Sequence, residues 1–281
     1  MQLSIGQSAT LACLLEVSAP KPGNVHRGAD FADATLNDFL ASAVAIGPAM
    51  ENARQQGVGA TVLEATRATQ SVTATNTNLG AVLLLAPLAC VPDGVPLKDG
   101  VRQVLAELNA DDAAHVYKAI RETRPGGLGS SEAMDVSQPP PADLLDAMQL
   151  AAERDIVARQ YVNCFADVFD SVVPELVAGV KRGYGMPLAI VHTHVALMSR
   201  HADTLIARKC GLEIAKSSAE AASRVLAAGE PMSENYQRAL GDLDFWLRSD
   251  GNRRNPGATA DLIAAGLFVC LRSGMIRPPL G

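Results

Sequence analysis

Four stretches of this chain set charged or amide side chains directly beside an apolar segment, and each could do chemistry. The first runs Glu16-Val17-Ser18-Ala19-Pro20-Lys21-Pro22-Gly23-Asn24-Val25-His26-Arg27-Gly28-Ala29-Asp30. Pro20 and Pro22 bias the residues before them toward extended backbone, so Lys21 is expected in a stiff loop. Gly23 permits a turn or a close approach of backbone to a ligand. Lys21, His26 and Arg27 then form a candidate anion site, with Glu16 or Asp30 as acid/base or metal-binding carboxylates. The plainer reading is a turn between helices with exposed charges. The second stretch, Thr73-Ala74-Thr75-Asn76-Thr77-Asn78-Leu79-Gly80-Ala81, leads into Val82-Leu83-Leu84-Leu85. Asn and Thr are good helix caps, but so many polar residues in succession exceed what one cap needs. Free amides at that helix start suit a phosphate or ribose, and Gly80 allows close approach.

The third stretch holds His192-Thr193-His194 and continues through His201-Ala202-Asp203-Thr204 to Arg208-Lys209-Cys210-Gly211. His194 and His201 share a face only if the helix is unbroken; His192 and His194 do not share one. Histidines on apolar helices are usually satisfied core or surface residues, and no complete metal-ligand set occurs at helical spacing. Arg208-Lys209, adjacent cations in an acidic protein, suit a polyphosphate, against the plainer reading of one exposed and one salt-bridged residue. The fourth is Asn252-Arg253-Arg254-Asn255-Pro256-Gly257-Ala258-Thr259-Ala260-Asp261, followed by Leu262-Ile263-Ala264-Ala265-Gly266-Leu267-Phe268. Asn255 reads as a helix cap with Pro256 at the first helical position. Asp261 among such neighbours needs a partner if buried: a cation or metal at a site, or an Arg in a structural ion pair.

The elements that must position these groups read as helices. Aromatics are only 4% of the chain and period-two alternation hardly occurs, while Ala-, Leu-, Glu- and Arg-rich stretches broken by Gly and Pro dominate. Helices are expected at about 4–18, 35–56, 60–74, 78–91, 97–108, 111–122, 141–153, 155–164, 166–182, 187–200, 203–228, 232–247 and 257–273. Pro125-Gly126-Gly127, Gly129-Ser130-Ser131 and Pro139-Pro140-Pro141 make 123–141 a long loop. Apolar helices flank it on both sides, so the expectation is one all-α domain over residues 1–281.

Composition narrows the class. At 48% hydrophobic and 19% charged residues the chain is globular, and a net charge of −6 argues against a general nucleic-acid binder. Leu79 to Val91, the most apolar stretch, contains Pro87 and falls well short of the roughly 20 residues of a membrane span. No signal peptide is visible after Met1-Gln2-Leu3-Ser4, and the five cysteines form no CxxC pair. Reduced, mostly buried thiols and a cytoplasmic location are therefore expected, with no membrane partner.

Taken together, in this order, the motifs resemble the triphosphoribosyl-dephospho-CoA synthase family. The carriers are Leu14-Leu15-Glu16-Val17 with Pro20-Lys21-Pro22-Gly23, and Asn76-Thr77 with Gly80. After them come His194, Asp203-Thr204 with Arg208, and Asn255-Pro256-Gly257 with Asp261-Leu262. The resemblance covers about residues 10 to 272. It implies an all-helical transferase acting at the anomeric carbon of ATP: a ribose hydroxyl of dephospho-CoA displaces adenine. ATP as substrate, with Mg2+, and dephospho-CoA or a related acceptor follow from it, with a homodimer as an admissible assembly. The implied roles give Lys21, Arg208 and Lys209 the triphosphate. Glu16, Asp203 or Asp261 would serve the hydroxyl or the oxocarbenium-like centre, and His26 or His194 would help adenine leave. Gly23, Asn24, Arg27, Asn76, Thr77, Asn78, Gly80, Thr204, Asn255 and Thr259 complete the expected binding set.

Three departures from the family pattern stand out. Gly23-Asn24-Val25-His26-Arg27 replaces Gly-Leu-Val-Asp-Arg, Asn76-Thr77-Asn78-Leu79-Gly80 replaces Asn-Thr-His-Lys-Gly, and Arg208-Lys209-Cys210-Gly211 replaces Arg-Gly-Gly. The second removes a cation expected to meet phosphate. Such changes fit a shorter subgroup in organisms that make methanopterin- or methanofuran-type carriers. A nucleotide- or phosphate-dependent transferase of one-carbon carrier biosynthesis is thus an alternative. A non-catalytic nucleotide or CoA binder and a magnesium-dependent hydrolase of ADP-ribose-type bonds are others.

Overall fold

Ser4 opens the first helix by a reciprocal cap: its hydroxyl accepts the Gln7 N–H while the Gln7 side chain accepts the Ser4 N–H. From there a computed structural model describes residues 3–128 and 133–280, almost all of them helix, turn or loop. Gly129, Ser130 and Ser131 of the long loop, and Met1-Gln2, lie outside the described residues. The helices are α1 (Ile5–Ser18), α2 (Leu36–Ala45), α3 (Gly47–Glu51), α4 (Ala53–Gln56), α5 (Val58–Gln70) and α6 (Leu79–Cys90). There follow α7 (Leu97–Ala106), α8 (Ala110–Thr123), α9 (Leu144–Ala151), α10 (Ile156–Val162), α11 (Val173–Lys181) and α12 (Gly185–Arg200). The last are α13 (Thr204–Cys210), α14 (Leu212–Ala227), α15 (Glu234–Arg248) and α16 (Gly257–Arg272). Among the described residues the one strand-like segment is Ser249–Asn252, so the fold is all-α as the composition implies.

Two helices are apolar nearly all round and must therefore be internal. In α6 every residue from Ala81 to Ala89 is buried, and in α16 every residue from Leu262 to Leu271. They pack on each other, with α1 and α12 against α16 and α5 against α6. Tyr161 sits in this core, its hydroxyl donating to the Leu83 carbonyl at 2.7 Å, so the buried polar atom is satisfied. A second apolar cluster, including Met198, Ile206, Tyr236 and Leu247, joins α12 to α15.

Where helix boundaries differ from expectation, a backbone constraint explains it. The stretch 35–56 is three helices, because Pro48 cannot donate into a preceding turn and Gly57, with φ 83°, ends α4. Gly211, with φ 92°, divides 203–228 into α13 and α14. Cys164 and Phe165 take left-handed φ of 53° and 61°, and a π-helical turn at Val168–Val172 then leads into α11. Pro256 precedes α16 rather than beginning it, and Asn255 spends its side chain elsewhere.

Candidate active site

The start of α6 and the start of α16 come together beside the C-terminal half of α1. The cavity between them measures about 130 Å3 and is lined by Cys13, Glu16, Asn24, Val25, Phe31, Phe39, residues 76–81, Asn255 and Asp261, among others. Asn76, Leu79, Gly80, Leu205, Asn255 and Asp261 also wall a wider hollow of about 430 Å3. Arg124, Asp155, Arg208 and Lys209 form its far side. Three of the four stretches thus send motif residues to one cavity, and the remaining one joins through Leu205, Arg208 and Lys209.

Asp261 stands at the junction of the two hollows. It lies beside the Ala81 N–H at the start of α6, a position where a helix favours negative charge. Its carboxylate lies flat against Gly80: a Cβ there would meet Asp261 Oδ2 at 2.0 Å and Cγ at 2.6 Å. Only glycine leaves that space. Among the described residues no ion pair involves Asp261, so the Arg partner that would make it scaffold is missing. Burial, then Glu16, Asp155 and Asp203, push its pKa well above the ordinary carboxylate value. Burial and the same two acids, Glu16 and Asp261, also push up the Cys13 thiol between them, so it stays protonated.

Glu16 faces the cavity under opposite conditions. Lys21 is completely buried and holds Glu16 Oε1 at 2.8 Å; its ammonium also donates to the Glu16 and Ala19 carbonyls at the end of α1. Lys21 is turned inward and does not line either hollow. Gly23, with φ 74°, donates its N–H to Asp244 Oδ1 at 2.7 Å, and a Cβ there would press on Leu247 and Pro256 at 2.9 Å. Asn24 donates to Asn255 Oδ1 at 2.8 Å while its own carbonyl accepts from Arg248.

The polar tract before α6 is knitted to its neighbours. Asn76 Oδ1 accepts the Leu79 N–H at 3.2 Å, Thr77 Oγ1 donates to Ser42 at 2.6 Å, and Asn78 Oδ1 accepts from Thr69 at 3.1 Å. Arg208 pairs with Asp155 at 2.8 Å. Lys209 and the exposed Arg124, which ends α8 in a left-handed turn, make no ion pair among the described residues.

Other expected site residues hold the frame instead of facing the cavity. Asp203 is buried, and its carboxylate accepts from Leu205 N, Ile206 N, Thr259 N and Thr259 Oγ1 at 2.7–3.0 Å. It thereby ties the starts of α13 and α16 together. Thr204 Oγ1 accepts the Ile156 N–H at 3.2 Å and so anchors α10. His194 is wholly buried beside Lys21 with neither ring nitrogen bonded; burial first, then Lys21, push its pKa well down, so it stays neutral. His26 Nδ1 accepts the Gly28 N–H at 3.1 Å, and burial, then Arg248, lower its pKa. His26 and the exposed Arg27 lie outside both hollows. Sequence reasoning missed Arg124, Asp155, Phe31 and Phe39. Arg124 preceding Pro125-Gly126-Gly127 at a helix end, and Asp155 as a helix cap, were the available signals.

Comparison with known proteins gives this architecture relatives. The family model described as CitG, ATP:dephospho-CoA triphosphoribosyl transferase, matches residues 2–277. A probable 2-(5''-triphosphoribosyl)-3'-dephosphocoenzyme-A synthase of Vibrio cholerae is 27% identical over 93% of this chain and 85% of that protein. A protein of the same description from Pseudomonas syringae pv. tomato is 35% identical over 37% of this chain, an alignment that spans 35% of that relative. A crystal structure from Archaeoglobus fulgidus, provisionally assigned as a triphosphoribosyl-dephospho-CoA synthase, superposes with a TM-score of 0.65 at 26% identity. That superposition covers 84% of this chain and all of the other. With a match from end to end and a shared helical fold, the chain belongs to the ATP:dephospho-CoA triphosphoribosyl transferase family.

Proposed function

We propose that the chain, its residues 1–281 acting as one domain, transfers the triphosphoribosyl group of ATP to a ribose hydroxyl of dephospho-CoA and releases adenine. The observation that carries this is Asp261, an unpaired carboxylate of raised pKa seated on Gly80 where two helix starts converge. The bond from C1' of ATP to adenine breaks with its electron pair leaving on the base, and a bond from the acceptor hydroxyl oxygen to C1' forms. Asp261 takes the hydroxyl proton and that proton is then delivered to the departing base, so the carboxylate returns to its starting form and the protons balance. Asp261 suits that exchange because it sits at the junction of the two hollows without a cation among the described residues to hold it ionised, and burial and neighbouring acids raise its pKa. Glu16, kept beside Lys21, supplies negative charge to the oxocarbenium-like centre. Arg208, Lys209 and Arg124, which wall the wider hollow, hold the triphosphate. Lys21 acts through Glu16; Asp203, Thr204 and Thr259 act by fixing the helix starts.

Mg2+ enters on this reading with the triphosphate, as part of the substrate. Such an ion takes one or two protein carboxylates and fills its shell with phosphate oxygens and water. Asp155 and Asp261 wall the hollow where it would sit, whereas among the described residues no group of three or more His, Cys, Asp or Glu could hold a metal alone. Among the described residues no helix is long and apolar enough to cross a membrane, and the cytoplasm is where both substrates are available. Family and relatives favour neither the one-carbon-carrier transferase nor the non-catalytic binder. The test is to incubate the purified chain with ATP, Mg2+ and dephospho-CoA. Adenine release that depends on dephospho-CoA, with an acceptor heavier by one triphosphoribosyl group, is expected; ATP losing phosphate with its base still attached would sink the proposal.

A further inference from the structure

Among the described residues, two buried amide atoms on residues that line the smaller cavity have no hydrogen-bond partner. Asn24 is buried, and its Oδ1 lacks a hydrogen bond although its Nδ2 donates to Asn255. Asn78 Nδ2 is likewise buried and unbonded, although its Oδ1 accepts from Thr69. Both residues line the cavity, so the chain leaves one acceptor and one donor beside it. The remaining wall is largely apolar, with Phe31, Phe39, Val17, Val25 and Leu79. Its charged groups are carboxylates, Glu16 and Asp261, and the free cations Arg124 and Lys209 lie on the far side of the other hollow. Phosphate is therefore unwelcome here. A flat, largely apolar group carrying one donor and one acceptor is what this wall completes.

We infer that this cavity is the base pocket of the transferase proposed above, reading adenine through Asn24 and Asn78. The exocyclic N6 amine donates to Asn24 Oδ1, and a ring nitrogen accepts from Asn78 Nδ2, the donor–acceptor pattern by which an asparagine reads adenine. Asp261 walls both hollows, so a nucleotide with its base here and its phosphates at Arg208 and Lys209 carries its sugar past that carboxylate. Adenine is also part of dephospho-CoA; the position of Asp261 assigns the pocket to the base of ATP, the one that leaves. Hypoxanthine offers an oxygen where adenine offers the amine, and a site built around hydrogen bonds rejects such a swap strongly.

Titration calorimetry of the full chain with single ligands tests this. ATP is expected to bind at least about tenfold more tightly than ITP, with ITP close to tripolyphosphate. Asn78→Ala and the isosteric Asn78→Asp should both bring ATP down about tenfold, while Asn78→Ala leaves tripolyphosphate and dephospho-CoA unchanged. Equal binding of ATP and ITP to the unaltered chain overturns the pocket whether or not the variants fold. So does a variant that loses dephospho-CoA but keeps ATP, or one that loses tripolyphosphate in parallel. Selective ATP binding with no adenine released on adding dephospho-CoA would leave the base pocket standing and remove the transferase reading instead.

Discussion

Glu16 and Asp261 look into one cavity from different helices, and their surroundings are opposites. Glu16 has a wholly buried lysine at 2.8 Å, itself held by the carbonyls at the end of α1. Asp261 has a backbone amide, the bare face of a glycine, and other acids. One carboxylate is ion-paired as part of the fold, and the other has no cation beside it among the described residues. Paired acids whose environments differ in this way divide labour, one held by a cation and one free to exchange a proton.

The sharpest break in that comparison comes from Lys21→Ala. The sequence places Lys21 in a stiff loop as part of an anion site; the fold buries it, so removal strands Glu16 and leaves a void. Denaturant unfolding should show a loss of about 3–5 kcal/mol. A loss under about 1 kcal/mol, as for an exposed pair, would erase the difference between the two carboxylates. Gly80→Ala strikes the other partner. Its Cβ would stand 2.0 Å from Asp261 Oδ2, so the carboxylate must move, and adenine release should fall by about 100-fold, the cost of misplacing a catalytic group by about an ångström. Unchanged turnover in a folded Gly80→Ala protein would free Asp261 from the site. Lys209→Ala should have the smallest effect. It should weaken ATP binding about tenfold with no change in melting temperature, because this lysine walls the hollow and, among the described residues, its ammonium makes no ion pair, while its backbone carbonyl, which accepts from Arg253, stays in place. A clear drop in melting temperature would make it scaffold, like Lys21.

Much of this was legible from residue types. Scarce aromatics and Ala/Leu-rich runs state an all-α chain, and the apolar run after Gly80 and the one after Asp261 name the two central helices. Glu16, Asn24, Asn76, Asn255 and Asp261 were also legible, because each sits where a polar loop meets an apolar helix. What a one-dimensional reading cannot give is direction. Lys21 between prolines looks exposed, yet the turn at Gly23 packs its loop against α15 and drives the side chain inward. Asp203 and Thr259 look like chemistry because both are polar among apolar neighbours; they find each other across residues far apart in the chain. Phe31, Phe39 and Asp155 belong to the cavity through tertiary packing, which no local spacing encodes.

The central claim is that Asp261 serves chemistry, and the Asp261→Asn protein tests it through adenine release and melting temperature followed against pH. Because burial raises the folded-state pKa above the unfolded value of about 3.9, the folded chain binds more protons. Stability from this group is then complete at acid pH and lost as pH rises through the folded pKa. Asn cannot ionise, so the variant should match the unaltered chain at acid pH and melt at the same temperature or higher near pH 7. Adenine release should fall by about 100-fold or more. Full activity with a collapsed melting temperature would contradict the account and make Asp261 part of the scaffold.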